Sequence, residues 1–217
     1  GIPTSGAVNL LREDPYVQGP KLFARNCASC HRYDGHDGLG SPPKGPQSAP
    51  DLKGFASREW ITHLLDPAHI ATSNYFGGTK FANGKMVRFV KKDVAAYTPE
   101  QKEQLRKVVI ALSAEAKLES QQALDTKNVS ELAAGLEMAK GDINCTECHA
   151  FGKPDEEATG PDLTGYGSRE WLITFISNPA HAKFYGKRND RMPRFGEEKI
   201  LDAKALGLLA DWLRGEW

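Results

Sequence analysis

Cys27-Ala28-Ser29-Cys30-His31 returns 118 residues later as Cys145-Thr146-Glu147-Cys148-His149, and these two runs hold all four cysteines of the 217-residue chain. A C-x-x-C-H run is the attachment signature of c-type haem: two thiols one helical turn apart add across the vinyl groups, and the next residue, His, coordinates the iron. Two copies predict two covalent haems and a fold that wraps both. A zinc site could draw four thiolates from the two pairs, but it leaves both histidines unexplained. A thioredoxin-like pair needs one C-x-x-C beside a βαβ pattern, and no such pattern is visible. With every cysteine inside a motif, none remains for disulfides, so cysteine pairing says nothing about compartment.

The repetition reaches well past the cysteines. Ser48-Ala49-Pro50-Asp51-Leu52 through Ser57-Arg58-Glu59-Trp60 reads against Thr159-Gly160-Pro161-Asp162-Leu163 through Ser168-Arg169-Glu170-Trp171 at an offset of 111. Asp66-Pro67-Ala68-His69 matches Asn178-Pro179-Ala180-His181, and Met86-Val87-Arg88-Phe89 matches Met192-Pro193-Arg194-Phe195. The order is kept twice, with length changes confined to the gaps, which predicts two homologous domains. Their expected bounds are 16–117 and 130–217, with an extended lead-in over 1–15 and a linker over 118–129 that is either helical or extended.

Helical spacing dominates and no strand alternation is convincing, so the expected fold is all-α. A first helix is expected after Pro20, leading into Cys27. Gly19 and Phe23, eight and four residues before that Cys, suit a close helix crossing. In the second half Glu137 and Gly141 fall at those offsets, so the repeat weakens there, and Ser130 is the candidate cap. Ser57 and Ser168 read as N-caps of short helices carrying Trp60 and Trp171, which Pro67 and Pro179 stop. Thr98-Pro99-Glu100-Gln101 forms a capping box ahead of a stripe of Leu105, Val108, Val109 and Leu112. The matching last helix starts near Asp202 and carries Leu206, Leu209, Trp212 and Leu213.

His31 and His149 are the expected proximal ligands. Of three methionines, Met86 and Met192 occupy the same place in the repeat, and a thioether on the distal face would raise the potential. The competing reading is that each fills a core, as most methionines do. His69 and His181 also repeat and are the rival sixth ligands, or residues of the surrounding shell. Met138 is unrepeated and reads as structural. Arg88 and Arg194 keep the same offset from Met and could pair with haem propionates, or could be solvated surface residues. Trp60 and Trp171 read as core, with their N–H groups seeking acceptors.

The formal net charge is zero, which gives no case for nucleic-acid binding. Residues 1–113 hold 15 Lys+Arg against 10 Asp+Glu and residues 114–217 hold 13 against 18, an asymmetry that could orient two different partners. No run approaches the apolar length of a membrane-spanning helix. The chain starts at Gly1 without an initiator Met or a signal peptide, as expected of a processed or excised piece.

The helix ending in Cys27-Ala28-Ser29-Cys30-His31, the loop, the short Trp helix, the Met segment and the closing helix, repeated in order, resemble a tandem of class I cytochromes c. The resemblance implies thioether bonds at Cys27, Cys30, Cys145 and Cys148, iron ligation by His31 with Met86 and by His149 with Met192, and two haem c groups. It implies an electron carrier and not an enzyme, periplasmic or on the outer face of a bacterial inner membrane. Leu10-Leu11-Arg12-Glu13-Asp14-Pro15 and Gly19-Pro20-Lys21-Leu22-Phe23 also resemble the cytochrome c extensions of bacterial quinol–cytochrome c reductases. That likeness implies a cytochrome b or Rieske-type donor, a soluble cytochrome or oxidase acceptor, and tethering through a fused or partner membrane subunit. The other classes are a dihaem peroxidase, which would need one open distal position where both Met are present, and an electron-accepting subunit of a periplasmic dehydrogenase.

Overall fold

A computed structural model describes Thr4 and residues 6–217, and among these residues the regular structure is helical with no strand beyond isolated bridges near Arg32, Tyr33 and Asp51. The helices are α1 (Ala7–Glu13), α2 (Pro15–Asn26), α3 (Arg58–Leu64), α4 (Lys85–Lys92), α5 (Pro99–Glu115), α6 (Glu119–Lys127), α7 (Val129–Lys140), α8 (Arg169–Ser177) and α9 (Ala203–Arg214).

Capping chemistry sets most boundaries. The Trp60 amide donates to Ser57 Oγ at 3.1 Å and the Trp171 amide to Ser168 Oγ at 3.2 Å, so α3 and α8 start at the repeated serines. Thr98 and Gln101 exchange both bonds of a capping box, at 3.0 and 3.2 Å, and Asp202 caps α9 through the Ala205 amide at 2.7 Å.

Three local expectations fail, and one left open, helix or extended chain in the linker, is decided. The lead-in contains a helix, α1, though it buries none of its residues. α2 starts at Pro15, with Asp14 as cap and proline at the first helical position, so Pro20 lies inside it and forfeits a single bond to the Tyr16 carbonyl. The linker is helical as α6, and Gln121 on it is buried. Ser130 is not a cap: α7 begins at Val129, and Asn128 at its head makes no side-chain capping bond.

The larger difference lies in what packs on what. One core joins Phe23 and Ala28 of the first repeat to Ile176, Phe195, Leu206, Leu209, Trp212 and Leu213 of the second. The other joins Trp60, Val87, Leu105, Val108, Val109 and Leu112 of the first repeat to Ala139, Ile143, Phe151 and Leu163 of the second. Helix α2 crosses α9, and α5 pairs with α7. The two largest cores thus each draw on both repeats, while a smaller cluster of Trp171, Leu172, Phe184 and Ala210 lies wholly within the second. Loop closure accounts for the choice. Only residues 116–128 separate α5 from α7, whereas closing α2 on α5 inside one repeat would span residues 27–98, at greater entropic cost. Once α5 is taken by α7, α2 and α9 are left for each other.

The chain passes between the cores twice, at equivalent positions. Phe55 and Tyr166, 111 apart in sequence, meet with ring centroids 5.4 Å apart. Ala56 and Gly167, the next equivalent pair, both have left-handed backbones, with φ of 63° and 76°. A Cβ on Gly167 would overlap that of Ala56. Contact between equivalent residues is what a local two-fold axis produces, and here it relates the two halves of one chain. Arg214 braces this region, its buried guanidinium donating to the carbonyls of Ala116 at 2.6 Å, Gly167 at 2.7 Å and Lys117 at 3.1 Å.

Candidate haem-attachment sites

Both C-x-x-C-H runs follow a helix end, reached differently. Cys27 is the C-cap residue of α2. Between α7 and Cys145 the chain inserts a turn, Gly141 to Asn144, with Asn144 left-handed at φ 53°. That insertion explains why the repeat weakens here: Gly135, ten residues before Cys145, does the work of Gly19, and Ala139 stands for Phe23. A Cβ on Gly19 would overlap the Trp212 side chain of α9, and one on Gly135 would overlap the Lys107 carbonyl of α5. Each helix leading to a cysteine pair thus crosses its partner at a residue without a side chain. Glu137 and Gly141 do not make that crossing.

The two histidines sit in matching settings. His31 Nδ1 lies 2.8 Å from the Pro50 carbonyl oxygen, and His149 Nδ1 lies 2.7 Å from that of Pro161. A carbonyl only accepts, so Nδ1 carries the hydrogen and Nε2 keeps its lone pair. Burial holds both imidazoles below their ordinary pKa, with the carbonyl bonds partly offsetting it. Neutral imidazole with an oriented, unprotonated Nε2 is the form that ligates iron. The Trp60 indole donates to the Asp51 carbonyl at 3.2 Å and the Trp171 indole to the Asp162 carbonyl at 3.0 Å, so the P-D-L segment holds the histidine with one carbonyl and the tryptophan with the next.

Burial pushes the Cys27 thiol up to about 12, Cys30 adding to the effect, and the Cys145 thiol to about 11. All four cysteines are free. A zinc site takes thiolates, which this burial disfavours. Cys27 packs on the core of α2 and α9 and Cys145 on that of α5 and α7, so the pairs do not converge on one metal. No cluster of three or more ligating side chains occurs among the described residues. The residues present therefore fit covalent haem.

The remaining candidates separate cleanly. Met192 packs on the core that holds Cys27, and Met86 on the core that holds Cys145, both partly buried. Met192 lies in an irregular segment, whereas Met86 sits in the first turn of α4, a helix the second half lacks. Met138, on α7, packs on the α5–α7 core. His69 and His181 are exposed: Nδ1 of His69 is 3.2 Å from Asp66 Oδ2, and Nδ1 of His181 accepts from the Lys183 amide at 3.3 Å. Arg88 donates to the Asn83 carbonyl at 2.5 Å, and Arg194 pairs with Glu197 at 2.9 Å and Glu198 at 3.0 Å, both guanidiniums being exposed. Sequence reasoning missed two arginines. Arg58 binds Asp125 of α6, and Arg169 binds Asp211 of α9 at 2.6 Å, so the repeated S-R-E-W serves as a tether as well as a cap. Their identical position in the repeat was the available signal.

A helical fold carrying C-x-x-C-H, with a buried histidine held by its Nδ1, suits the class of proteins that bind haem covalently. Residues 16–107 match the family model described as Cytochrome c, a family of electron-transfer proteins on covalent haem. No curated protein and no solved structure matches the chain. The matched stretch contains α2, the first C-x-x-C-H, α3, Met86 and the start of α5, and so draws on both cores. Among the described residues no helix is long and apolar enough to cross a membrane.

Proposed function

We propose that the chain is a dihaem c-type cytochrome that passes single electrons, with haems on Cys27 and Cys30 and on Cys145 and Cys148. The observation that carries the reading is the pair of histidine settings. The bond from His149 to Pro161 repeats that from His31 to Pro50 to within 0.1 Å, and a tryptophan hangs from the next carbonyl in both. Haem, when bound, supplies an iron that gains and loses one electron reversibly. The chain's part is to fix Nε2 of each histidine through Nδ1, to present a methionine thioether, and to surround both with aromatic and aliphatic walls that keep water away. Exposure and local bonding of His69 and His181 favour Met86 and Met192 as the distal ligands.

The compartment where such haems are attached is the bacterial periplasm or the outer face of the inner membrane, and we place the chain there. Its donor would be a cytochrome b or Rieske-type protein of a quinol–cytochrome c reductase, to which it is fused or docked, and its acceptor a soluble cytochrome or an oxidase. Intact mass with a haem-stained gel tests the count: we expect two covalent porphyrins per chain, and a single one, gained only on the first cysteine pair, refutes the dihaem reading. The oxidised protein should also show the near-infrared sulfur-to-iron charge-transfer band.

A further inference from the structure

We infer that the two iron sites are crossed between the repeats, so that His31 is paired with Met192 and His149 with Met86, in place of the in-order pairs that the repeat alone suggests. The inference rests on the dihaem reading above and concerns which thioether reaches which iron.

Three independent observations support it. The cysteine-bearing helices have exchanged partners, α2 lying on α9 and α7 on α5, each seated by a glycine with no room for a side chain. The methionines follow the exchange: Met192 packs against the same buried cluster as Cys27, Tyr33 and Leu52, and Met86 against the one that holds Leu163 and seats Cys145. The chain crosses between cores after Leu52 and after Leu163, at the paired Phe55–Tyr166 and Ala56–Gly167 contacts. Cys27, Tyr33 and Leu52 therefore lie on one core and Trp60, Met86 and Leu112 on the other, with the Asp51–Trp60 bond where the two segments adjoin. Neither half of the sequence then contains a complete iron site.

The test is to leave one haem at a time. In the Cys27→Ala/Cys30→Ala protein, only the His149 haem remains. In that background Met86→Ala should abolish the sulfur-to-iron band, and Met192→Ala should leave it in place. The reverse outcome, loss with Met192→Ala alone, means in-order ligation and overturns the inference while leaving the dihaem reading intact. A band that survives both substitutions assigns the thioether to neither Met86 nor Met192, and a band absent before substitution removes methionine ligation; either result overturns the crossing and the ligand part of the proposed function. A second measurement needs no haem removed. In the reduced two-haem protein, the strongly upfield-shifted methyl signal that disappears in Met192→Ala should show nuclear Overhauser contacts to the haem bridged to Cys27 and Cys30. Contacts to the haem of Cys145 and Cys148 would instead sink the crossed pairing.

Discussion

The two cores solve one packing problem with different material. Where α2 crosses α9, the seam is aromatic: Phe23 is wholly buried, its ring 5.4 Å from that of Trp212, which in turn stacks on Tyr33 at 4.2 Å. Where α7 crosses α5, the seam is aliphatic and closer, with Ala139 in the place of Phe23 and Gly135 against the Lys107 backbone. Large rings hold helices apart and fill the space between. Small residues let backbones touch and leave the filling to Leu105, Val108 and Leu112. What the crossing needs is a residue with no Cβ at the point of contact, and the volume around it can come from either helix.

That contrast can be broken most forcefully at its largest side chain. Phe23→Ala should cost about 3–5 kcal/mol in denaturant unfolding of the holoprotein, whereas Ala139→Gly at the matching point should cost only about 1 kcal/mol. Equal losses would mean the two seams are not equivalent in the way described. Next come the contact glycines. Gly135→Ala and Gly19→Ala should each destabilise by about 1–3 kcal/mol through overpacking, and Gly135→Ala the more, because a main-chain carbonyl yields less than an indole; paired thermal melts rank them. Ser57→Ala and Ser168→Ala should lower stability by about 1 kcal/mol each, and by similar amounts, since both caps bond the amide three residues on. The smallest effect is that of Ala56→Gly at the axis. Ala56→Gly relieves a left-handed alanine and should be neutral or stabilising by up to about 1 kcal/mol, while Gly167→Ala, at the equivalent site, should destabilise.

Much of this could be read from the residues before any coordinates. Ser57, Ser168, Thr98 and Asp202 mark helix starts because a short polar side chain bonding its own backbone is a local event. The histidine motifs, the Trp helices and the need for a close crossing at Gly19 were equally plain. The role of Gly135 was hidden by a turn inserted between α7 and Cys145, which shifts the glycine from eight residues before the cysteine to ten. Helix α1 shows no buried stripe and α6 only a single buried residue, Gln121, so neither announced itself by periodicity. The exchange of partners could not have been seen at all. Two copies of a sequence carry two copies of the same mating surfaces, and nothing in either surface says which copy it will meet. The length of the connection between α5 and α7 decides it, a matter of chain entropy and not of side-chain type.

The meeting of α2 with α9 carries a consequence for biogenesis. Ala203 is 177 positions beyond Asn26, so the first cysteine pair is synthesised long before the helix that will cover it. The central core can close while the chain is still emerging, because its helices are near neighbours; the outer one waits for α9. Maturation would then be expected to run from the middle outward, with a nascent chain cut short before α9 left holding an uncovered first motif.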